Sequence, residues 1–167
     1  MNTHTRAAVR VRPATPEDLS VVVELRLALV IEHAENIIYG RTRRDMRARA
    51  RPLYLSQLRS PREVTLLAER DGEVVGILRC VDSAGHPLLH PDRYGYISSV
   101  YVRPSARRHG VVRALMAAAE QWCRERGLDE LRLHNAADNP LSNATWEALG
   151  FEVAEHLRVR RLAPEER

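Results

Sequence analysis

A basic turn with the sequence RRHGVVR offers the clearest chemistry in this chain, because it joins a predicted strand to a predicted helix. The N-terminus of a helix presents unpaired N–H donors and the positive end of the helix dipole, which suits the double anion of a pyrophosphate. Gly110 lets the backbone approach such an anion, and the arginines add positive charge. The predicted anion-binding residues are Arg107, Arg108, His109, Gly110, Val111, Val112 and Arg113. An ordinary strand-to-helix crossover with a basic turn would contain the same residues, so the prediction depends on its context.

A second motif, DNPLSNATWEALGF, lies nearer the C-terminus. Asn139 before Pro140 is typical of a helix start, since asparagine caps the first turn and proline fits the first helical position. Gly150 predicts the end of the same helix. The asparagine, Trp146 and the Gly-Phe pair therefore lie on one short helix and at its boundaries.

Hydrophobic periodicity and turn residues predict the elements that position both motifs. The predicted strands are Val9–Arg12, Val64–Glu69, Glu73–Val81, Tyr94–Val102, Glu130–His134 and Phe151–Leu162. The first predicted helix runs from Thr15 to about His33, and the second begins at a cap at Thr42, with Met46, Ala50 and Leu53 on one face. The third runs from His109 or Gly110 to Gly127, and the fourth from Asn139 to Gly150.

Two connections between these elements predict the topology. Asp71-Gly72 indicates a hairpin between antiparallel strands, and a strand, a helix and a strand with a short return form a right-handed crossover between parallel strands. We therefore expect an α/β fold with a mixed, mainly antiparallel central sheet that includes one parallel crossover. No linker or repeat interrupts the chain, so we expect a single domain over residues 1–167. The long loop 82–93 between two strands is predicted to be functional.

Both motifs resemble those of the GCN5-related N-acetyltransferase superfamily. Its signature is a strand, the turn R/Q-x-x-G-x-G/A and a helix, and the chain reads VYVRPSARRHGVVRAL, with Val112 in place of the last small residue. The second motif is similar to the family's N-x-x-A-x-x-x-Y-x-x-x-G-F, with Ser142 for alanine and Trp146 for tyrosine. The resemblance implies the acyl-CoA N-acyltransferase fold and acetyl-CoA as co-substrate.

The resemblance also implies roles for individual residues. The last residues of the strand before the turn, Val100, Tyr101 and Val102, would pair through their main chain with the pantetheine amides of the cofactor. Asn139 would contact the pantetheine arm, or act only as a helix cap. The family's tyrosine protonates the leaving thiolate, but the indole of Trp146 does not ionise, so Trp146 would either steady the sulfur or pack. Catalysis can proceed without such an acid, because coenzyme A is a fair leaving group at neutral pH.

Attack on the thioester requires a neutral amine, so a base that titrates near neutral pH favours the reaction. His134 alternates with Leu131 and Leu133 on its predicted strand and faces away from whatever they pack on. If that face lines the cleft between the parallel strands, His134 is the base; if it faces solvent, His134 is a surface histidine. The preceding strand offers residues that could hold a relay water instead: Ser98, Ser99, Tyr94 and Tyr96. The secondary candidates for the base are His86 and His90.

Composition excludes several other chemistries. The chain has no lysine, and all 26 of its Lys+Arg residues are arginines, which excludes a phosphate-binding P-loop and a pyridoxal phosphate Schiff base. Cys80 and Cys123 lack metal-type spacing, so we expect a reducing compartment and no metal site. The N-terminal MNTHTRAAVR lacks the apolar core of a signal peptide, and no apolar run reaches the ~20 residues that span a bilayer. We therefore expect a soluble cytoplasmic protein without a membrane partner.

The arginine-rich segment RTRRDMRARAR at residues 41–51 is interpreted as a solvated helix face. It could alternatively bind an anionic acceptor group or a nucleic acid, although it lacks the interleaved aromatic residues that favour RNA. The sequence therefore predicts an acetyl-CoA-dependent N-acetyltransferase that acts on a primary amine of a small molecule or peptide, by direct attack through a tetrahedral intermediate. The alternatives are a non-catalytic acyl-CoA-binding regulatory domain and a nucleic-acid-binding module. Whether the chain forms a homodimer stays open.

Overall fold

The computed structural model describes residues 8–162 of the chain. The strands are β1 Arg10–Pro13, β2 Glu63–Arg70, β3 Glu73–Ala84, β4 Arg93–Val102 and β5 Leu131–Leu133. The helices are α1 Leu19–Glu32, α2 Met46–Leu58, α3 Val111–Arg124 and α4 Pro140–Ala148. Single 3-10 turns at Pro16–Asp18 and Pro104–Ala106 precede α1 and α3.

Each strand of the central sheet pairs with the next strand along the chain, in the order β1-β2-β3-β4-β5. The first three pairings are antiparallel. The last is parallel and extends from Gly95 opposite Leu131 to Ile97 opposite Leu133. At the β2–β3 hairpin, Asp71 and Gly72 have φ angles of 53° and 82°, as a two-residue hairpin turn with two left-handed residues requires. The predicted α/β fold with a mixed sheet and one parallel crossover is confirmed.

Two helical layers cover the sheet because successive side chains of a strand point to opposite faces. Leu25 of α1 and Tyr54 of α2 belong to a buried apolar cluster with Leu67 of β2 and Ile77 of β3. Cys80 of β3, three residues beyond Ile77, points to the other face and contacts α3. The apolar stripe of α3 lies on that face: Val111, Leu115, Met116, Ala119 and Cys123 are buried.

The second helix begins later than predicted. Its N-cap is Asp45 rather than Thr42. Met46 packs against the apolar cluster, Ala50 and Tyr54 are buried, and Leu53 is 51% exposed. The buried face therefore repeats every four residues, which places Tyr54, and not Leu53, against the core.

Two predicted extended segments differ in the structure. β3 continues through Ala84 and β4 begins at Arg93, so the loop between them shrinks to residues 85–92, closed by a 2.7 Å hydrogen bond from the Gly85 N–H to the Asp92 carbonyl. The strand predicted at Phe151–Leu162 is wrong, because in the described part of the chain the sheet ends with β5 and residues 151–162 pair with none of its strands. A strand needs a hydrogen-bonded neighbour, and alternating apolar residues alone do not provide one.

The two cysteines are free thiols buried between β3 and α3. Cys80 is 0% and Cys123 is 2% exposed, and their Sγ atoms are 3.6 Å apart. Their mutual hydrogen bond and burial together raise the pKa of Cys80 far above its usual range. Because both thiols are shielded from reagents in solution, we expect neither to react with Ellman's reagent until the protein is unfolded with guanidinium. Rapid reaction in native buffer would contradict the buried placement.

The chain divides into two compact units, the first ending at His134 and the second beginning at Asn135. The first contains the sheet with α1, α2 and α3, and the second contains α4. A single domain over residues 1–167 stays a prediction. Across the described part of the chain, no helix has the length and hydropathy of a membrane-spanning segment. Nor do residues 8–162 contain a group of three or more His, Cys, Asp or Glu side chains arranged to hold a metal ion.

Candidate active site

The basic turn leads from the end of β4 into the first turn of α3. Gly110 is the N-cap of α3 and has a left-handed conformation with φ of 79°, which glycine adopts without strain. A Cβ atom placed at Gly110 would meet no atom within 4 Å, so the space in front of the turn is open. The first helical hydrogen bond runs from the Ala114 N–H to the Gly110 carbonyl at 3.0 Å. The amides before it have no acceptor within the helix.

The charged side chains of the turn have different roles in the structure. Arg107 donates to the Val102 carbonyl at 3.0 Å and to the Glu32 carboxylate at 2.6 Å, so its guanidinium ties the turn to β4 and α1. His109 lies 2.7 Å from the Arg107 carbonyl through Nδ1, which requires a proton on that nitrogen. Arg108 has a φ of 64° and, like Arg113, is exposed.

A close contact with the sheet fixes the start of α3. Val111 is buried at 2% exposure, and Gly76 of β3 lies directly beneath it. A Cβ atom at Gly76 would approach the Val111 Cγ1 atom to 2.8 Å, closer than real side chains pack. Gly76 therefore lets α3 begin close to the sheet. Val112, the departure from the family turn, is half-buried.

The end of β4 has an unpaired edge next to this turn. In the described part of the chain, β5 pairs with β4 only from Gly95 to Ile97. Beyond Ile97, β4 keeps its antiparallel partner β3, with Tyr101 opposite Ile77 and Val102 opposite Gly76, but has no partner on the β5 side. Val100 and Tyr101 are half-buried and Val102 is buried. Apart from the Val102 carbonyl, which accepts from Arg107, the main chain of the final β4 residues is therefore left for an extended ligand to pair with.

A β-bulge marks the point where β4 loses its β5 partner. The register with β3 shifts between Ile77 and Arg79, and Ser99 has a left-handed φ of 56°. The Ser98 hydroxyl lies 3.2 Å from that of Ser99 and accepts a 3.3 Å hydrogen bond from Arg79. Glu63 of β2 forms a short ion pair with the same arginine. This chain of polar side chains holds the bulge from beneath, and bulges often re-aim groups next to active sites.

His134 follows β5 and meets a tyrosine of β4. The Tyr96 hydroxyl lies 2.9 Å from His134 Nδ1, and the two rings are 5.7 Å apart with an interplanar angle of 59°. Burial, assisted by Tyr39 and Tyr94, raises the pKa of Tyr96, so its hydroxyl stays protonated at neutral pH. His134 itself is exposed. The histidine is thus both open to solvent and hydrogen-bonded to a partly buried partner.

Further side chains surround this tyrosine–histidine pair. The Arg132 guanidinium stacks 4.1 Å from the ring centre of Tyr94 and pairs with Glu130 at 2.6 Å. Tyr39, from the segment between α1 and α2, lies within electrostatic reach of Tyr96. Arg132 is also opposite Tyr96 in the parallel pairing of β4 with β5.

The second motif is ordered by its own hydrogen bonds in the second unit. Asn139 caps α4, accepting the Ser142 N–H at its Oδ1 at 3.0 Å, and thus confirms its role as a helix cap. The Trp146 Nε1–H donates to the Ser142 hydroxyl at 3.0 Å, and the indole packs edge-on against Phe151 at 5.6 Å. The two departures from the family motif, Ser142 and Trp146, are therefore hydrogen-bond partners.

Sequence reasoning missed the buried polar side chains beneath the bulge. Arg26 is 9% exposed, stacks 4.0 Å from the Tyr54 ring and donates to Gln57 at 2.5 Å, and burial lowers its pKa to about 10. The sequence signal was a single arginine in an apolar helical stripe, and Arg79 within the apolar β3 gives a similar signal. Neither spacing reveals a partner 16 or more positions away, such as Glu63 for Arg79.

Comparisons with known proteins agree with this geometry. The sequence profile of the acetyltransferase (GNAT) family matches residues 29–151. An aminoglycoside N(6')-acetyltransferase type 1 of Stenotrophomonas maltophilia is 27% identical over 159 residues, which cover 93% of this chain and 94% of that enzyme. One from Klebsiella aerogenes is 34% identical over 101 residues, 60% of this chain and 66% of that enzyme.

A solved structure has a similar fold. A "predicted acetyltransferase" from Clostridium acetobutylicum, crystallised with acetyl-CoA, superposes with a TM-score of 0.75 over 92% of this chain and 96% of that one. The sequence identity is 19%, so this likeness concerns the fold alone.

Proposed function

This chain belongs to the acetyltransferase (GNAT) family and is an N-acetyltransferase, and we propose that it moves the acetyl group of acetyl-CoA to a primary amine of a small molecule. One observation carries the proposal. The unpaired edge of β4 at residues 98–102 runs directly into the open N-terminus of α3. A ligand with amides followed by a pyrophosphate fits a strand edge followed by a helix N-terminus.

The binding roles proposed here follow from that order. The main chain of Val100, Tyr101 and Val102 pairs with the pantetheine amides, and the first amides of α3, from Val111 to Arg113, hold the pyrophosphate. Arg108 and Arg113 contribute charge, while Arg107 acts by holding the turn against Val102 and Glu32. The residues thus fit the cofactor, and Asn139 is proposed to contact its pantetheine arm.

The proposed chemistry uses the His134–Tyr96 pair as the base. Acetyl-CoA supplies an acetyl group activated as a thioester. With the Nδ1 proton of His134 donated to the Tyr96 oxygen, the Nε2 lone pair can accept the proton that the amine loses as its nitrogen attacks. The C–N bond forms, a tetrahedral intermediate collapses, and the C–S bond breaks to release the thiolate. Because Trp146 donates its N–H to Ser142, solvent is proposed to protonate the thiolate.

The experiment for this proposal is thiol release from acetyl-CoA with a broad panel of amines. Release that depends on an amine, with the acetylated amine identified by mass spectrometry, is the expected result. Calorimetric binding of acetyl-CoA without release from any amine would overturn the enzyme and leave a non-catalytic acyl-CoA-binding domain. Steeply salt-dependent binding to RNA or DNA would favour the nucleic-acid-binding alternative instead.

The Ser142–Trp146 pair gives a prediction about thiolate release. Replacing both residues, in Ser142→Ala/Trp146→Tyr, restores the family pattern and provides a hydroxyl that can donate a proton. If thiolate protonation slows turnover, kcat rises by up to about 100-fold, the lower range of positioned acid catalysis, with an unchanged KM for acetyl-CoA. The control is Ser142→Ala/Trp146→Phe, which removes the hydrogen bond without adding a hydroxyl. An equal kcat in both variants would show that protonation of the thiolate by solvent does not limit turnover.

Three further points belong to this proposal. The two cysteines lie in apolar runs without metal-type spacing, which supports a reducing compartment such as the cytoplasm. A single domain over the whole chain is proposed, and gel filtration with light scattering will tell whether it forms a homodimer.

A further inference from the structure

Carboxylates near the tyrosine–histidine pair are neutralised by arginines. Glu63 pairs with Arg79 under the bulge, and Asp82 forms a short ion pair with Arg93 at the start of β4. Glu130 pairs with Arg132 at 2.6 Å. The groups that act electrostatically on Tyr96 are Tyr39, Tyr94 and Arg79. These three carboxylates are therefore not free to bind a cationic amine.

The segment from residue 41 to residue 51 carries an excess of positive charge. It contains six arginines and one acid, Asp45, which pairs with Arg43 at 3.4 Å and with Arg49 at 2.5 Å. In the part of the chain that the structure describes, the remaining four arginines are exposed and their side chains make no hydrogen bond or ion pair. They are Arg41, Arg44, Arg47 and Arg51.

The first of these arginines belongs to a folded segment whose Tyr39 is near Tyr96. Two backbone hydrogen bonds fold the segment before α2, from Gly40 to the Asn36 carbonyl at 2.8 Å and from Arg41 to the Ile38 carbonyl at 3.4 Å. Tyr39 of this folded segment acts electrostatically on Tyr96, which bonds His134. Arg41 is two positions beyond Tyr39. The far end of an acceptor whose amine is at His134 would extend toward this positively charged segment.

We propose that the acceptor is a small primary amine that also carries an anionic group, a carboxylate or a phosphate, which Arg41 and Arg44 bind. This inference rests on the proposed function and narrows it. Arginine forms strong, directional hydrogen bonds with both kinds of anion. A polycationic aminoglycoside would meet like charge at the same place, and like-charge contacts exclude wrong partners. The proposed anionic acceptor therefore differs from the aminoglycosides in the names of the similar enzymes.

The first experiment compares amines in pairs that differ only in the anion. 4-Aminobutyrate is paired with butylamine, phosphoethanolamine with ethanolamine, and amino acids with their amides, and kanamycin serves as the polycation. We expect kcat/KM to be at least about tenfold higher for the anionic member, since two exposed charge contacts contribute roughly 1.4 kcal/mol. The carboxylate and phosphate pairs show which anion is preferred. Rising ionic strength should weaken the preference.

The second experiment tests the arginines. The variant Arg41→Glu/Arg44→Glu should raise KM for the preferred anionic amine about tenfold and leave KM for its uncharged partner and for acetyl-CoA unchanged. Arg59→Glu is the matched control, because Arg59 is exposed at the other end of α2, about 20 Å from its start. It should leave all three values unchanged.

The outcomes separate this inference from the proposed function. Turnover with kanamycin or with uncharged amines that equals or exceeds that with anionic amines would overturn the inference and leave the enzyme intact. An equal loss for anionic and uncharged amines in the double variant would do the same, because it would mark a general disturbance of the segment. A complete lack of amine-dependent thiol release, with every amine tested, would overturn the proposed function and the inference with it.

Discussion

Replacing His134 with alanine is expected to lower kcat about 100-fold, the lower range of general base catalysis, while the Kd for acetyl-CoA stays unchanged. The reason is that the variant removes the Nε2 acceptor and the 2.9 Å contact with Tyr96, but touches neither the open β4 edge nor the start of α3. The ascending limb of the pH–rate profile, which reports the base, should disappear. Fixed-time assays of thiol release between about pH 6 and pH 9 measure kcat and its pH dependence, and calorimetry measures the Kd for acetyl-CoA.

Tyr96→Phe tests the partner of the histidine. The phenyl ring keeps the packing but removes the oxygen that accepts the Nδ1 proton. That contact holds the imidazole ring in place, so its loss should reduce kcat, but less than His134→Ala does. His156→Ala is the control, because it removes an exposed histidine of the second unit. An unchanged pH–rate profile in His134→Ala would reject His134 as the base and favour a relay water.

The second large effect is expected at the start of α3. Gly110→Ala forces a residue with a Cβ atom into a left-handed conformation with φ of 79°, which costs about 1–2 kcal/mol. If the turn relaxes to a different conformation, the first amides of α3 no longer converge on one anion. We expect the Kd for acetyl-CoA to rise about tenfold, equivalent to 1.4 kcal/mol, as measured by calorimetry.

Gly127→Ala provides a matched control at the other end of the same helix. Gly127 also has a positive φ, 69°, and a Cβ atom there would also meet nothing within 4 Å. Both variants should therefore lose a similar free energy of unfolding in urea titrations, but only Gly110→Ala should bind acetyl-CoA more weakly. Equal binding by the two variants would place the pyrophosphate away from this turn.

Local features of the site were predictable because their hydrogen bonds join residues close in sequence. The left-handed Gly110, the Asp71-Gly72 hairpin and the Asn139 cap each depend on a few neighbouring residues. The Trp146–Ser142 hydrogen bond spans four positions of one helix, and that spacing places both side chains on the same face. The strand predicted at Phe151–Leu162 was wrong because a strand requires a partner that its own sequence does not specify.

By itself, the sequence determined the position of the basic turn, the elements on either side of it and the α/β class of the fold. Tertiary structure alone decided which side chains meet. The parallel pairing of β4 with β5 joins Tyr96 to His134 across 38 positions, and Arg107 reaches Glu32 across 75 positions. Glu63, Arg79 and Ser98 converge beneath the bulge in the same way. Such contacts depend on strand register and on helix packing against the sheet, which are properties of the whole core and leave no signal in local spacing.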